Sequence, residues 1–247
     1  VIARAFRLFD ELLRSPKQSA DRAVMGRDLE PLVLAALVAI LVGSGIFGGV
    51  LATSRGGTQL LYSATKLPLA LVATLVLVVP AFYAIAASLG RPLALRGAVG
   101  LVLAGTARAA LVLVAFTPLV WLALDAGIGY HKGVLLASAC YAISGLAALR
   151  LILHGMGADF RAFAILACFA AVMAPVGAQT AWMLRPFFGR PAQAHVPFFR
   201  PRESSFLDAV AKSARSSVGI YDREAEHYGP CTPPADCSSR RRLENEL

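Results

Sequence analysis

The sequence predicts an all-α, polytopic membrane protein: a bundle of about five transmembrane helices with a long C-terminal tail. Three observations predict it. Five apolar runs, Pro31–Ser54, Leu67–Leu89, Gly97–Leu124, Gly133–Leu153 and Ala162–Leu184, each supply the roughly 20 residues a helix needs to cross a hydrocarbon core. Charged residues lie between the runs, and the third run alone holds an ionisable residue well inside it, Arg108. Hydrophobic residues make up 57% of the chain, with a mean hydropathy of +0.64, above the usual share for a soluble domain. The runs are too long for strands and lack the alternating polarity of a membrane barrel, which leaves helices as the only structure that satisfies the backbone in lipid.

The chain divides into an arm (1–30), a transmembrane domain (31–184) and an extramembrane tail (185–247). The arm carries six basic and five acidic residues, so it lacks the apolar core of a signal peptide and the first run is expected to be retained as a span. Ile2, Phe6, Phe9 and Leu13 recur at steps of three or four among Arg4, Arg7 and Arg14, and Pro16 ends the pattern, which predicts an amphipathic helix. Such a helix either lies in the headgroup region or packs on a protein surface. The connections between spans are short. Pro80, Pro118 and Pro175 fall inside the second, third and fifth spans and predict bends there. Trp121 and Trp182 fall near span ends, where aromatic belts form. In the tail, Ser204–Ser217 has helical spacing at Phe206, Val210 and Ala214, and the chain from Tyr221 onward reads as extended.

Charge bears on orientation. The arm and the second and fourth connections hold ten basic residues, against three (Arg55, Lys66 and Lys132) in the first and third connections. The positive-inside rule then places the arm in the cytoplasm and the tail, after five spans, in the periplasm. The ten basic residues of the tail argue the other way. Cys231 and Cys237 flank a Thr-Pro-Pro-Ala-Asp turn, a spacing that a disulfide closes in an oxidising compartment. A zinc site there would be short of ligands, with His227 as the nearby histidine. Cys140 and Cys168 lie within spans as small apolar residues.

Candidate chemistry is sparse. Arg108 costs at least ~2.5–3.5 kcal/mol to insert, so it marks either a functional site or a structural contact with a backbone carbonyl or lipid phosphate, with Thr106 beside it. No span holds an Asp or Glu, and no histidine pair has metal-ligand spacing, which argues against cation-coupled transport and intramembrane proteolysis. The glycine-rich stretch from Gly43 to Gly49 lies within a hydrophobic run. Ser44 with Gly48 and Gly45 with Gly49 fit the small-residue spacing of close helix packing, rather than a phosphate loop. Gln179, beyond Pro175, is suited to a hydrogen bond across helices or to a small polar cavity. Neither a catalytic constellation, a cofactor motif nor a metal site is expected.

The second-span entry Tyr62-Ser-Ala-Thr-Lys-Leu-Pro-Leu69, with the five spans and cytosolic arm, resembles the bacterial relatives of the Yip1 family. The segment Gly177-Ala-Gln-Thr-Ala-Trp-Met-Leu-Arg-Pro-Phe-Phe-Gly-Arg-Pro191 resembles the end of multi-pass bacterial proteins with a similar span layout. The resemblance covers about Pro31–Pro201, and the tail after Arg202 extends past it. It implies a non-enzymatic membrane factor that binds partners, and no catalytic residue is carried over.

These readings converge on a non-enzymatic scaffold or accessory subunit of a membrane assembly in the bacterial inner membrane, contacting lipids and other integral membrane proteins. Two alternatives stand beside it. One is a transport or channel component for an anion or small neutral solute, lined by Thr106, Arg108 and Gln179. The other is a lipid-binding or membrane-shaping protein acting through the arm. The spans exclude a soluble nucleic-acid binder, despite a net charge of +9.

Overall fold

In the computed structural model the described residues are 2–26, 29–54 and 56–184, with 187, 198, 210, 211, 214 and 215. Cys231, Cys237, His227 and most of Ser204–Ser217 lie outside them. The described chain is all helical: α1 (Ile2–Arg14), α2 (Pro16–Met25), α3 (Leu29–Val38), a π-helical turn (Ala39–Gly43), α4 (Ser44–Leu51), α5 (Thr58–Ser88), α6 (Leu95–Asp125), α7 (Tyr130–Gly155) and α8 (Phe160–Met183). The segment Leu29–Leu51 and helices α5 to α8 supply five helices long and apolar enough to cross a membrane. The chain is a multi-pass membrane protein.

Two boundaries differ from the sequence expectation. The second span starts at Thr58, so Lys66 is helical and does not belong to a connection. The polar residues Gln59, Ser63 and Lys66 interrupt the apolar run, but at steps of four and three they share one face of the helix, and that face is buried. The arm forms two helices. Pro16 ends α1 and opens α2, where a missing N–H is tolerated. Gly26, with φ of +65°, closes α2 by donating to the Ala23 and Arg22 carbonyls.

Helix α6 runs through the centre, packed on α7, α4, α3 and both arm helices, while α8 packs mainly on α5. One end of the bundle, with the arm, buries Leu12, Ala20, Ala23, Leu101, Leu151 and Ile152, with Phe82 and Phe169 edge-to-face further in. The other end closes on Phe47, Leu51, Leu67, Leu113 and Val120. The chain leaves α8 at this second end, opposite the arm. The arm is therefore docked on its own bundle. Ala20 lies against Gly155, and the Ala23 and Val24 backbone lies against Gly100 and Gly97.

The first span meets α5 through its small residues. A Cβ on Gly48 would run into the Ser63 carbonyl, whereas one on Gly49 would have Ala64 Cβ as its nearest neighbour, at 3.9 Å. A Cβ on Gly45 would lie 3.3 Å from the Ala64 carbonyl, whose helical donor is missing because residue 68 is proline. Ser44 is fully buried and donates to the Ile40 carbonyl one turn back, spending its hydroxyl within its own helix.

Gly48→Ala should force α4 from α5 and lower stability by about 1–3 kcal/mol. Gly49→Ala should be neutral or slightly stabilising, since alanine is the better helix former. Thermal unfolding of the two variants in the same detergent checks the contrast.

Candidate functional site

The described spans hold two basic side chains well inside the bundle, Arg108 and Lys66, and each is met by a different kind of partner. Arg108 lies 13 residues into α6, about 20 Å from its start. Its Nη1 donates to the Leu12 carbonyl at 3.1 Å. The reason lies in the arm. The Ser15 N–H serves the Glu11 carbonyl at 2.9 Å, and the next carbonyl in the ladder, that of Leu12, would need the N–H of residue 16. Pro16 has none. Arg108 supplies the missing donor and sets a cation at the negative end of α1. An ion pair at 3.0 Å between Glu11 and Arg22 ties α1 to α2. Arg108 thus pairs one nitrogen with a backbone carbonyl, while its Nε is buried without a hydrogen-bond partner.

Lys66 lies toward the opposite end of the bundle, and its side chain is fully buried. Its Nζ lies 4.6 Å from the Phe198 ring centroid and 5.9 Å from that of Tyr62, and the two rings meet edge-to-face at 5.1 Å. A cation over aromatic faces is attracted by the ring quadrupoles, more strongly as water is excluded. On the same face Ser63 Oγ donates to the Phe187 carbonyl at 2.8 Å, and Gln59 Nε2 reaches that carbonyl at 3.4 Å and Ser63 Oγ at 3.2 Å. Residues beyond α8 thus return to α5 and are held there by three buried polar side chains.

The remaining candidates are dispersed. Thr106 is buried, and its Oγ1 donates to the Val102 carbonyl of its own helix at 3.0 Å. Gln179 lies on the exposed side of α8. Thr106, Arg108 and Gln179 therefore do not converge on one surface. Ser44, Gly45, Gly48 and Gly49 lie along the first span, with Gly45 and Gly48 facing the α5 backbone. Cys140 is buried and Cys168 exposed, both as free thiols. Among the described residues no group of three or more His, Cys, Asp or Glu is placed to hold a metal ion. Sequence reasoning missed the Gln59–Ser63–Lys66 stripe and the Leu12 carbonyl. The signals were present, as a polar pattern with helical spacing and as a proline four residues after Leu12.

Comparison with protein-family models, curated proteins and solved structures finds no match to this chain.

Arg108→Met should leave the Leu12 carbonyl unpaired and cost about 1–3 kcal/mol. Pro16→Ala restores a donor to that carbonyl, so the Arg108→Met penalty should shrink in its background. A double-mutant cycle by thermal unfolding reads this coupling, and strict additivity would contradict it. For the second cation, an amine-reactive label on the intact protein should modify the exposed Lys17 and Lys132 well before Lys66. Phe198→Ala should bring Lys66 labelling forward, as peptide mass mapping would record.

Proposed function

We propose that this chain is a non-enzymatic scaffold or accessory subunit of a membrane assembly, bound to its partner through the outer face of α8. The observation that carries the reading is a ridge on that helix. Ala167, Ala171, Pro175 and Gln179 follow one another at steps of four, flanked by Cys168 and Ala174, and all six are exposed. Phe163 and Met183 bound this row and Val172 lies beside it, whereas Leu34, Leu41, Val42, Leu69, Val76 and Leu77 give the outward faces of the first span and α5 large aliphatic side chains throughout. Large aliphatics suit lipid. Small residues let another backbone approach closely, and an exposed glutamine amide within a span gains a hydrogen bond from a neighbouring helix. Pro175 adds to this by leaving the Ala171 carbonyl without its helical N–H.

The orientation proposed with it sets the arm in the cytoplasm and the chain after α8 in the periplasm. The arm end carries Arg7, Arg14, Lys17, Arg91, Arg96, Arg150 and Arg161, the side that basic residues favour. The resemblance to bacterial relatives of Yip1 accords with a partner-binding, non-catalytic role.

A photo-crosslinking residue at Ala171 should give protein adducts in native membranes, and one at Val76 should give lipid adducts only. Gln179→Leu should weaken the assembly by about 1 kcal/mol, several-fold in its population on native gels. A monomer-sized native band, with no protein adduct from Ala171, would overturn the reading.

A further inference from the structure

The arm helix α1 has two apolar faces. Leu8 and Leu12 are buried against the bundle, whereas Phe6 is 67% and Leu13 41% exposed, seven residues apart on the side turned outward. Phe9, partly buried, meets Phe6 edge-to-face between these faces. The Leu12 carbonyl reaches the Arg108 guanidinium, whose Cα lies well inside α6. The C-terminal end of α1 is therefore held against α6, well inside the start of that helix.

Charge surrounds this face unequally. Three acidic side chains at the arm end are already paired: Asp10 with Arg14 at 2.6 Å, Glu11 with Arg22 at 3.0 Å and Asp159 with Arg91 at 2.9 Å. Among the described residues that leaves Arg7, Lys17, Arg96, Arg150 and Arg161, all exposed, against Asp21 and Glu30. At the opposite end Lys132 is exposed with Asp125, and Lys66 is enclosed.

We propose that the arm end of the bundle is a binding surface for anionic phospholipid, with these cations contacting the headgroup phosphates and Phe6 and Leu13 contacting the acyl chains. An amphiphile supplies both components at one depth. An acidic protein would complement the cations and leave the exposed apolar strip of Phe6 and Leu13 without a partner. Basic residues near an anionic leaflet each add to affinity, and exposed aromatic and aliphatic residues beside them anchor a helix at the interface.

The test uses the full chain in neutral detergent, titrated with phosphatidylglycerol or phosphatidylcholine of matched acyl chains and read by native mass spectrometry. The wild type should retain phosphatidylglycerol preferentially. Lys17→Gln, Arg96→Gln and Arg161→Gln together should reduce that preference by about tenfold, whereas Lys132→Gln should leave it unchanged. Phe6→Ser with Leu13→Ser should weaken retention of both lipids alike. If the triple variant misfolds, the wild type still decides, since its preference should collapse at high salt, where exposed charges are screened. Equal retention of the two lipids by the wild type would overturn the proposal. So would a salt-insensitive preference, loss of preference on Lys132→Gln, or displacement of the lipid by soluble glycerol phosphate.

Discussion

A backbone carbonyl without a donor is the constraint around which this bundle is arranged. Water satisfies such a group at a protein surface, but within lipid or a packed helical interior the chain itself must do so. Pro16 orphans the Leu12 carbonyl, and α6 answers with the guanidinium of Arg108. Pro68 orphans the Ala64 carbonyl, and Gly45 of the first span lies over it. Hydroxyls follow the same economy: Ser44, Thr74, Thr106, Thr117, Ser138 and Thr180 each donate to the carbonyl four residues back. Much of the polar content of the spans thus goes into satisfying backbone and joining elements, while the Tyr141 and Ser144 hydroxyls of α7 are buried without a hydrogen-bond partner.

How much of this was legible depends on the range of the interaction. The five spans follow from length and composition, because crossing a bilayer is a property of one segment at a time. Their ends were less legible. The apolar run of the second span begins at Leu67, whereas the helix begins at Thr58, because a buried polar stripe lowers hydropathy without ending a helix. The break between α1 and α2 was visible in Pro16, but that the helix after it would fold back onto α6 and α7 was not. That docking rests on Gly97, Gly100 and Gly155, which lie far from the arm in sequence and are unremarkable in composition.

The same limit applies to the polar residues. Arg108 was conspicuous because it interrupts an apolar run, yet its partner is a main-chain oxygen 96 residues away that no side-chain pattern encodes. Lys66 was inconspicuous because a lysine at the edge of a hydrophobic run reads as a loop charge. Gln179 was legible as a polar residue in a span, but which way it faces depends on the contacts of α8. Once α8 is seen to pack mainly on α5, the helical period places Ala167, Ala171, Pro175 and Gln179 outward together.

The two interior cations also give the bundle a polarity of its own. At the arm end, among the described residues, the exposed basic side chains outnumber the exposed acidic ones. At the other end, Lys66 is folded inward beneath Tyr62 and Phe198. Because Phe187 and Phe198 contact that second end, the chain after α8 starts on the side of the bundle away from the arm. The arm's cations are fixed in place by helices that pack on α6, and four of the neighbouring ones sit in the short connections or span ends, where charge bears most on orientation. Burying Lys66 removes a basic side chain from the exposed surface of the opposite end and sharpens the asymmetry that the arm establishes.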